Sequence, residues 1–264
     1  MSILTLWFMS GLVILDLMLA LWLLSLVLKN SSIVDIFWGA GFVITFWVGT
    51  LLVPGGLSAR VILLGAIVTI WGLRLSFYIL RRNAGHPEDF RYAKWRQEAG
   101  PSWWWRSFFK VFVMQGILLW IISIPLLAAQ TSRATNSALG CYDLIAVIIW
   151  LTGFAFEAGG DYQLTRFKAE SGNKGKLLTT GFWSVTRHPN YFGDAAQWWA
   201  FYLIALISGA WWTIFSPLIM TYLLRKVSGV ALLERTLKET KPGYADYIAN
   251  TPAFFPRIIP RKRS

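Results

Sequence analysis

Charged residues are scarce in this sequence. Asp, Glu, Lys and Arg together make up 14% of the chain, whereas a soluble globular domain carries about 25%. The scarcity excludes an ordinary soluble domain. Hydrophobic residues make up 56% of the 264 positions, and several windows with almost no charge reach the roughly 20 residues that cross a bilayer as a helix. The sequence therefore predicts an all-α integral membrane protein.

Cysteine is nearly absent as well. The single cysteine, Cys141, excludes an internal disulfide and a cysteine-based metal cluster, and we expect no metal site. Acidic residues number 13 against 25 basic ones, which gives a net charge of +12. In a membrane protein this charge is better explained by basic loops facing anionic lipid than by nucleic acid.

The first apolar run, residues 3–28, lacks the basic leader and the small-residue cleavage site of a signal peptide. We expect it to be the first of seven membrane helices. The others are expected at about 32–54, 58–81, 108–129, 142–164, 191–208 and 210–229. Most Lys and Arg lie in 81–110, 165–190 and after 224, and the positive-inside rule places these segments in the cytoplasm. The N-terminus is then outside and the C-terminus inside. No linker is long enough to divide the single membrane domain, 1–264.

Among the ionisable residues inside the predicted spans, five are candidates for function, because such residues are costly there and usually face the protein interior. Asp16 is expected to be satisfied by a neighbouring helix. Asp35 fits either a routine helix start or a functional carboxylate, and Arg74 either snorkels to the interface or points into the bundle. Glu157 and Asp161 are four residues apart, on one face of the fifth span.

The stretch "RHPNYFGD", residues 187–194, concentrates polar chemistry between apolar segments. Pro189 is suited to the first position of a helix, so the following residues form a helix start whose free N–H groups attract an anion. The alternative is a basic loop followed by a helix cap. The variety of polar side chains favours a large phosphate-bearing ligand, and the candidate residues are Arg187, His188, Asn190, Tyr191 and Asp194.

Three motifs, "GGDYQL", "GFWSVTRHPNYFGD" and "KPGYADYIANTPAFFP", resemble the C-terminal half of the membrane steroid 5-alpha-reductase family, over about 145–258. The resemblance is closest to bacterial members. It implies seven membrane helices, with 1–130 on the substrate side and 140–264 binding NADPH in a cytoplasm-facing cavity. It also implies a bacterial inner-membrane location. The implied activity is reduction of the C4=C5 double bond of 3-oxo-Δ4 steroids such as progesterone or testosterone.

The resemblance also implies site residues. Asn190 and Asp194 match residues near the nicotinamide half of the cofactor, and Asp161 matches a residue of the same pocket. Lys168 and Lys176 match arginines that face phosphate in the eukaryotic members, so the charge is kept but the bidentate geometry is not. Arg225 and Lys226 match a basic position at the end of the last helix. Glu157 departs from the family, because the eukaryotic members carry Asn there. Together with the candidates drawn from the residues themselves, the predicted cofactor-binding set is Arg74, Glu157, Asp161, Lys168, Lys176, Arg187, His188, Asn190, Tyr191, Asp194, Arg225 and Lys226.

The implied catalytic acid is Asp35, which stands at the place of the family's glutamate. A buried, protonated Asp35 would donate a hydrogen bond to the C3 oxygen as charge develops during hydride transfer. The family's partner tyrosine aligns with Trp71, so either the Trp71 indole N–H or another tyrosine, such as Tyr78, is expected to take its role.

Two other classes of protein fit parts of the sequence. Membrane methyltransferases of the isoprenylcysteine carboxyl methyltransferase type share an Arg-His-Pro-x-Tyr-x-Gly core but bind S-adenosylmethionine, which has no phosphate for the basic positions. A transporter or sterol-binding protein would leave 187–194 unexplained. We therefore expect a monomeric reductase whose steroid or enone lipid substrate enters from the bilayer, with no nucleic-acid partner.

Overall fold

The computed structural model describes residues 1–54, 57–131, 138–227 and 229–257, except for the side chains at 231, 232, 235 and 236. Every regular element in these ranges is a helix, as predicted. The chain divides into two compact units. The N-terminal unit comprises Met1–Gly140 with Ile204–Ser216, and the C-terminal unit comprises Cys141–Leu203 with Pro217–Ser264.

The N-terminal unit begins with three long helices, α1 (Ile3–Leu28), α2 (Ile33–Leu52) and α3 (Ala59–Asn83). A composite helical segment follows. It contains α4 (Phe90–Ala99), α5 (Trp103–Ser107), a π-helical turn (Phe108–Val113), α6 (Met114–Ile122) and α7 (Ile124–Thr131).

The C-terminal unit contains α8 (Cys141–Ala169), the short α9 (Phe182–Val185) and most of α10 (Pro189–Ile207). After α11 (Phe215–Tyr222) come a π-helical turn (Leu223–Val227), α12 (Val230–Thr240) and α13 (Tyr244–Asn250).

Five segments are long and apolar enough to cross a membrane: α1, α2, α3, Phe90–Thr131 and α8. The protein is therefore an integral membrane protein, as the composition indicated. Four of the segments correspond to predicted spans with bounds that differ by a few residues, and the predicted span 108–129 is the second half of the composite segment. The predicted spans 191–208 and 210–229 are not among the five, and residue 228 lies outside the described residues. Seven spans and their orientation therefore remain a prediction.

Glycines bring α2 and α3 into backbone contact. A Cβ atom added to Gly39 would lie 2.1 Å from the carbonyl oxygen of Gly72, and one added to Gly72 would lie 2.6 Å from that of Gly39. Only glycine permits so close an approach. The Ser76 hydroxyl also accepts a hydrogen bond from the Ala40 N–H at 2.8 Å. This contact fixes the first turns of α2, where Asp35 lies, against α3.

A second glycine contact joins α8 to α10 inside the C-terminal unit. A Cβ atom on Gly153 would lie 2.6 Å from the Gly193 carbonyl oxygen, and one on Gly193 would lie 2.3 Å from that of Gly153. Pro189 is the first residue of α10, as predicted. The close approach brings the polar first turns of α10 against the acidic face of α8.

Candidate functional site

In the N-terminal unit, Asp35 lies in the first turn of α2 and accepts hydrogen bonds at both carboxylate oxygens. The Tyr92 hydroxyl donates to Oδ1 at 2.7 Å, and the Arg91 guanidinium donates to Oδ2 at 3.1 Å. Both partners belong to α4. Hydrogen bonds from a guanidinium and a phenol hold a carboxyl group in a fixed orientation. Both oxygens of Asp35 are acceptors in this arrangement, and its role as the protonated catalytic acid remains a prediction.

A chain of three hydrogen bonds orients Tyr92. The Trp38 indole N–H donates to Gln115 Oε1 at 2.5 Å, and Gln115 Nε2 donates to the Tyr92 hydroxyl oxygen at 2.8 Å. Because an indole N–H only donates, Trp38 determines which end of the Gln115 amide faces Tyr92. The hydroxyl oxygen is then an acceptor toward Gln115, and its own proton points to Asp35. Tyr92 and Gln115 are only 3% and 7% exposed.

Charged residues hold the start of α4 beside α2. Asp89 caps α4 and accepts from the Arg91 side chain at 2.9 and 3.2 Å. Burial alone would raise the pKa of Asp89, but the hydrogen bonds and the charge of Arg91 outweigh it and lower that pKa. Next to this pair, Glu88 accepts from Arg96 at 2.9 Å and from the Ser31 N–H at 2.5 Å. Arg91 therefore lies between the carboxylates of Asp35 and Asp89.

The other residues assigned from sequence in this unit lie on α3. Trp71 is 1% exposed and packs against Phe42, with ring centroids 5.8 Å apart. The guanidinium of Arg74 lies 5.2 Å from the Tyr78 ring centroid. The catalytic role of Trp71 and the cofactor role of Arg74 remain predictions.

Tyr92, Arg91 and Gln115 were not among the residues predicted from the sequence. Tyr92 and Arg91 occur in "DFRYAKW", a mixed charged and aromatic segment of the kind found at membrane interfaces. Fifty-seven residues separate Tyr92 from Asp35. Neither motif nor periodicity connects positions so far apart.

In the C-terminal unit, amides of α10 meet the two buried carboxylates of α8. Asn190 Nδ2 donates to Asp161 Oδ1 at 3.1 Å, and Gln197 Nε2 donates to Glu157 Oε2 at 2.6 Å. Both carboxylates are 2% exposed. The structure therefore brings together Asp161 and Asn190, which the sequence assigned to one pocket, and adds Gln197 beside Glu157.

Arg187 is buried and binds groups from the C-terminal segment. Its guanidinium contacts Glu234 at 2.6 Å, donates to the Ile248 carbonyl oxygen at 3.2 Å, and also donates to the Thr251 carbonyl oxygen. The side chain is 7% exposed. In this arrangement Arg187 attaches α12 and the end of α13 to the start of α10. Its assignment to a cofactor phosphate remains a prediction.

His188 joins the same cluster. Its Nε2 lies 3.3 Å from Glu234 Oε1, and its ring stacks on Tyr191 with centroids 5.7 Å apart. Burial alone would raise the pKa of Glu234, but the hydrogen bonds and charges of His188 and Arg187 outweigh it and lower that pKa.

The other basic residues assigned from sequence in this unit are exposed. Lys168 is near the end of α8, and Lys176 lies in the connection that follows. Arg225 and Lys226 lie in the π-helical turn after α11, where the Arg225 guanidinium is 5.3 Å from the Phe254 ring centroid. These side chains present positive charge at the surface of the C-terminal unit.

The fold and the carboxylate clusters define a helical integral membrane protein with polar sites among apolar helices. The chain belongs to the family DUF1295, described as a protein of unknown function, which matches residues 21–251. It is 27% identical over 278 residues to an uncharacterized protein of Schizosaccharomyces pombe, covering 90% of this chain and 76% of that protein. No solved structure matches the chain.

Proposed function

We propose that the protein is a membrane reductase that uses NADPH to reduce the C4=C5 double bond of a 3-oxo-Δ4 steroid or a related enone lipid. The observation that carries the proposal is the hydrogen-bonded chain from Trp38 through Gln115 and Tyr92 to Asp35. Such a chain holds a phenol proton in position inside an apolar helical unit, and under this proposal a carbonyl oxygen of the substrate accepts it. The resemblance of residues 145–258 to steroid 5-alpha-reductases supplies the reaction.

The positive charge at the surface of the C-terminal unit suits a phosphorylated dinucleotide. The exposed side chains of Lys168, Lys176, Arg225 and Lys226 would hold phosphates. The half-buried Asn190, Tyr191 and Asp194 would hold ribose or carboxamide groups, next to the buried Asp161. Arg187 and His188 bind Glu234 and are better suited to positioning the helix start than to contacting phosphate.

When bound, NADPH would supply a hydride to C5 of the enone. As the C4=C5 electron pair shifts toward C3, negative charge develops on the C3 oxygen. The Tyr92 hydroxyl would donate to this oxygen. Gln115 already donates to the hydroxyl oxygen, so the hydroxyl proton is the group that Tyr92 can offer, and without substrate that proton lies toward Asp35. Asp35, held by Arg91, keeps that proton in place until the substrate oxygen takes over the hydrogen bond. The enolate then takes a proton at C4 from water, which completes the addition of two hydrogen atoms.

We also propose seven spans, with the N-terminus outside and the cofactor-binding residues in the cytoplasm. The distribution of Lys and Arg supports this orientation. Reporter fusions placed after 140 and after 257 test it, because the first should report outside and the second cytoplasm. The reverse pattern would refute the orientation.

The binding test is ligand-dependent thermal stability of the purified protein. A ligand present at about 100 times its Kd stabilises the folded state by roughly 2.7 kcal/mol, so NADPH, NADH and S-adenosylmethionine can be compared directly. We expect NADPH to raise the Tm most. Stabilisation by S-adenosylmethionine alone would refute the reductase proposal in favour of a methyltransferase.

A matched set of lysine variants locates the phosphates. Lys168→Gln combined with Lys176→Gln should weaken the NADPH effect on Tm, whereas Lys174→Gln should leave it unchanged, since Lys174 is an exposed lysine that was not assigned to the site. Equal effects of the assigned and control lysines would argue against this phosphate assignment.

A further inference from the structure

Asp16 lies in the middle of α1 and faces outward. It is thirteen residues after Ile3 and twelve before Leu28, so it is roughly 18–20 Å from either end of the helix. Its side chain is exposed, and no hydrogen bond or ion pair joins it to the described part of the chain. The expectation that a neighbouring helix satisfies Asp16 is therefore wrong for the described residues.

An acidic side chain at this depth is costly if it faces lipid. Insertion of an aspartate at the centre of a membrane helix costs roughly 2.5–3.5 kcal/mol. The segment is also the most apolar of the five candidate spans, with a mean hydropathy of 2.5. A cost of this size calls for a partner that covers the carboxyl group.

The residues around Asp16 repeat with the period of a helix pair. Among the many exposed side chains of α1, one row that includes Asp16 has alternating steps of four and three residues: Thr5, Met9, Leu12, Asp16, Leu19 and Leu23. This is the a/d spacing of a heptad seam, with Asp16 at a central a position. The seam lies opposite the stripe of α1 that packs inside the protein, which includes Leu6, Ile14 and Leu21.

We propose that α1 is the interface of a homodimer in which the Asp16 carboxyl groups of two copies pair across a two-fold axis. Copies inserted in the same orientation present parallel α1 helices, and in a parallel pair each a position faces its counterpart. A single polar residue at an a position fixes the register and the number of helices in such a pair.

Pairing satisfies both carboxyl groups in the apolar interior. A carboxyl group that carries its proton can both donate and accept, so two facing carboxyl groups can hydrogen-bond to each other. Each Asp16 carboxyl group thus has the Asp16 carboxyl group of the other copy as its hydrogen-bond partner, and no cationic residue on α1 is needed. This inference does not depend on the reductase proposal, and it replaces the monomer expected from the sequence.

Cysteine cross-linking tests the seam in membranes of the expression host, where all copies insert in one orientation. Cys141, the one cysteine of the chain, is first replaced by serine. Leu12→Cys and Leu19→Cys lie on the seam and should form disulfide-linked dimers on oxidation. Leu4→Cys and Leu24→Cys are matched controls, because both side chains are exposed, at 71% and 44%, but lie on either side of the seam. Cross-linking at none of the four positions, or equally at all four, overturns the proposal.

Substitutions of Asp16 test the carboxyl pair. Asp16→Leu should weaken dimerisation by about 3- to 30-fold, the range for one hydrogen bond between membrane helices. Asp16→Asn keeps a group that both donates and accepts, and should stay close to wild type. The measurement is energy transfer between labelled copies as they are diluted in lipid. Dimerisation unchanged in Asp16→Leu, or a wild type that remains monomeric in lipid, contradicts the proposal.

Discussion

Replacing Tyr92 by phenylalanine removes one buried oxygen atom that makes two hydrogen bonds. Gln115 Nε2, now 2.8 Å from that oxygen, and Asp35 Oδ1, at 2.7 Å, each lose a partner. A buried polar group left unpaired costs roughly 1–3 kcal/mol. The Asp35 side chain is 17% exposed and can recover part of its loss from solvent, so we expect a total of about 2–4 kcal/mol.

The same substitution tests the proposed chemistry. Loss of one donor to a developing oxyanion lowers kcat by about 10²–10³-fold, so Tyr92→Phe should nearly abolish enone reduction while NADPH still raises the Tm. Tyr142→Phe is the control, because that ring is 63% exposed. The assays are thermal unfolding in one detergent and oxidation of NADPH with an enone lipid. If Tyr92→Phe matches the control in both assays, the hydrogen-bonded chain has no role in stability or turnover.

Two further predictions concern the frame around the site. The pKa of Glu234 is lowered from its usual 4.5 by His188 and Arg187, against the effect of burial. Its contribution to stability is therefore present above about pH 4.5 and is lost as the pH falls through the lowered pKa. Glu234→Gln should flatten the fall of Tm in this acid range, and an unchanged slope would count against the cluster. Gly39→Ala would place a Cβ atom 2.1 Å from a backbone oxygen of α3 and should cost about 3 kcal/mol, the upper end of the usual range for overpacking. Gly172→Ala, whose Cβ atom meets nothing within 4 Å, should be neutral, and equal Tm values for the two alanine variants would refute the packing argument.

Features set by neighbouring residues were predictable from the sequence. The bounds of α1 follow from a long apolar run in which Asp16 is the one charged residue, and the observed helix begins and ends where expected. The start of α10 follows from Pro189, which has no N–H to lose at a helix start. The buried carboxylates Glu157 and Asp161 lie on one face of α8 because they are four residues apart.

Features set by distant contacts were not predictable. Asp35 receives its hydrogen bonds from α4, and sequence spacing does not connect the two segments. Arg187 was predicted to bind the cofactor, which remains a prediction, and no motif indicated that its guanidinium binds Glu234, 47 residues away. Asp16 was expected to have a partner on a neighbouring helix, but it lies on the outward-facing side of α1 and has no such partner among the described residues. In each case, packing between residues that are far apart in the sequence determines the partner of the charged side chain.

Isotope transfer tests the reductase proposal most directly. The purified protein, in lipid nanodiscs, is incubated with NADPH that carries deuterium at the transferable position of the nicotinamide, and with progesterone among a panel of enone lipids. The proposal predicts a saturated ketone with one deuterium at C5, formed by wild type and lost in Tyr92→Phe. No reduced product from any enone, together with no stabilisation by NADPH, would contradict it.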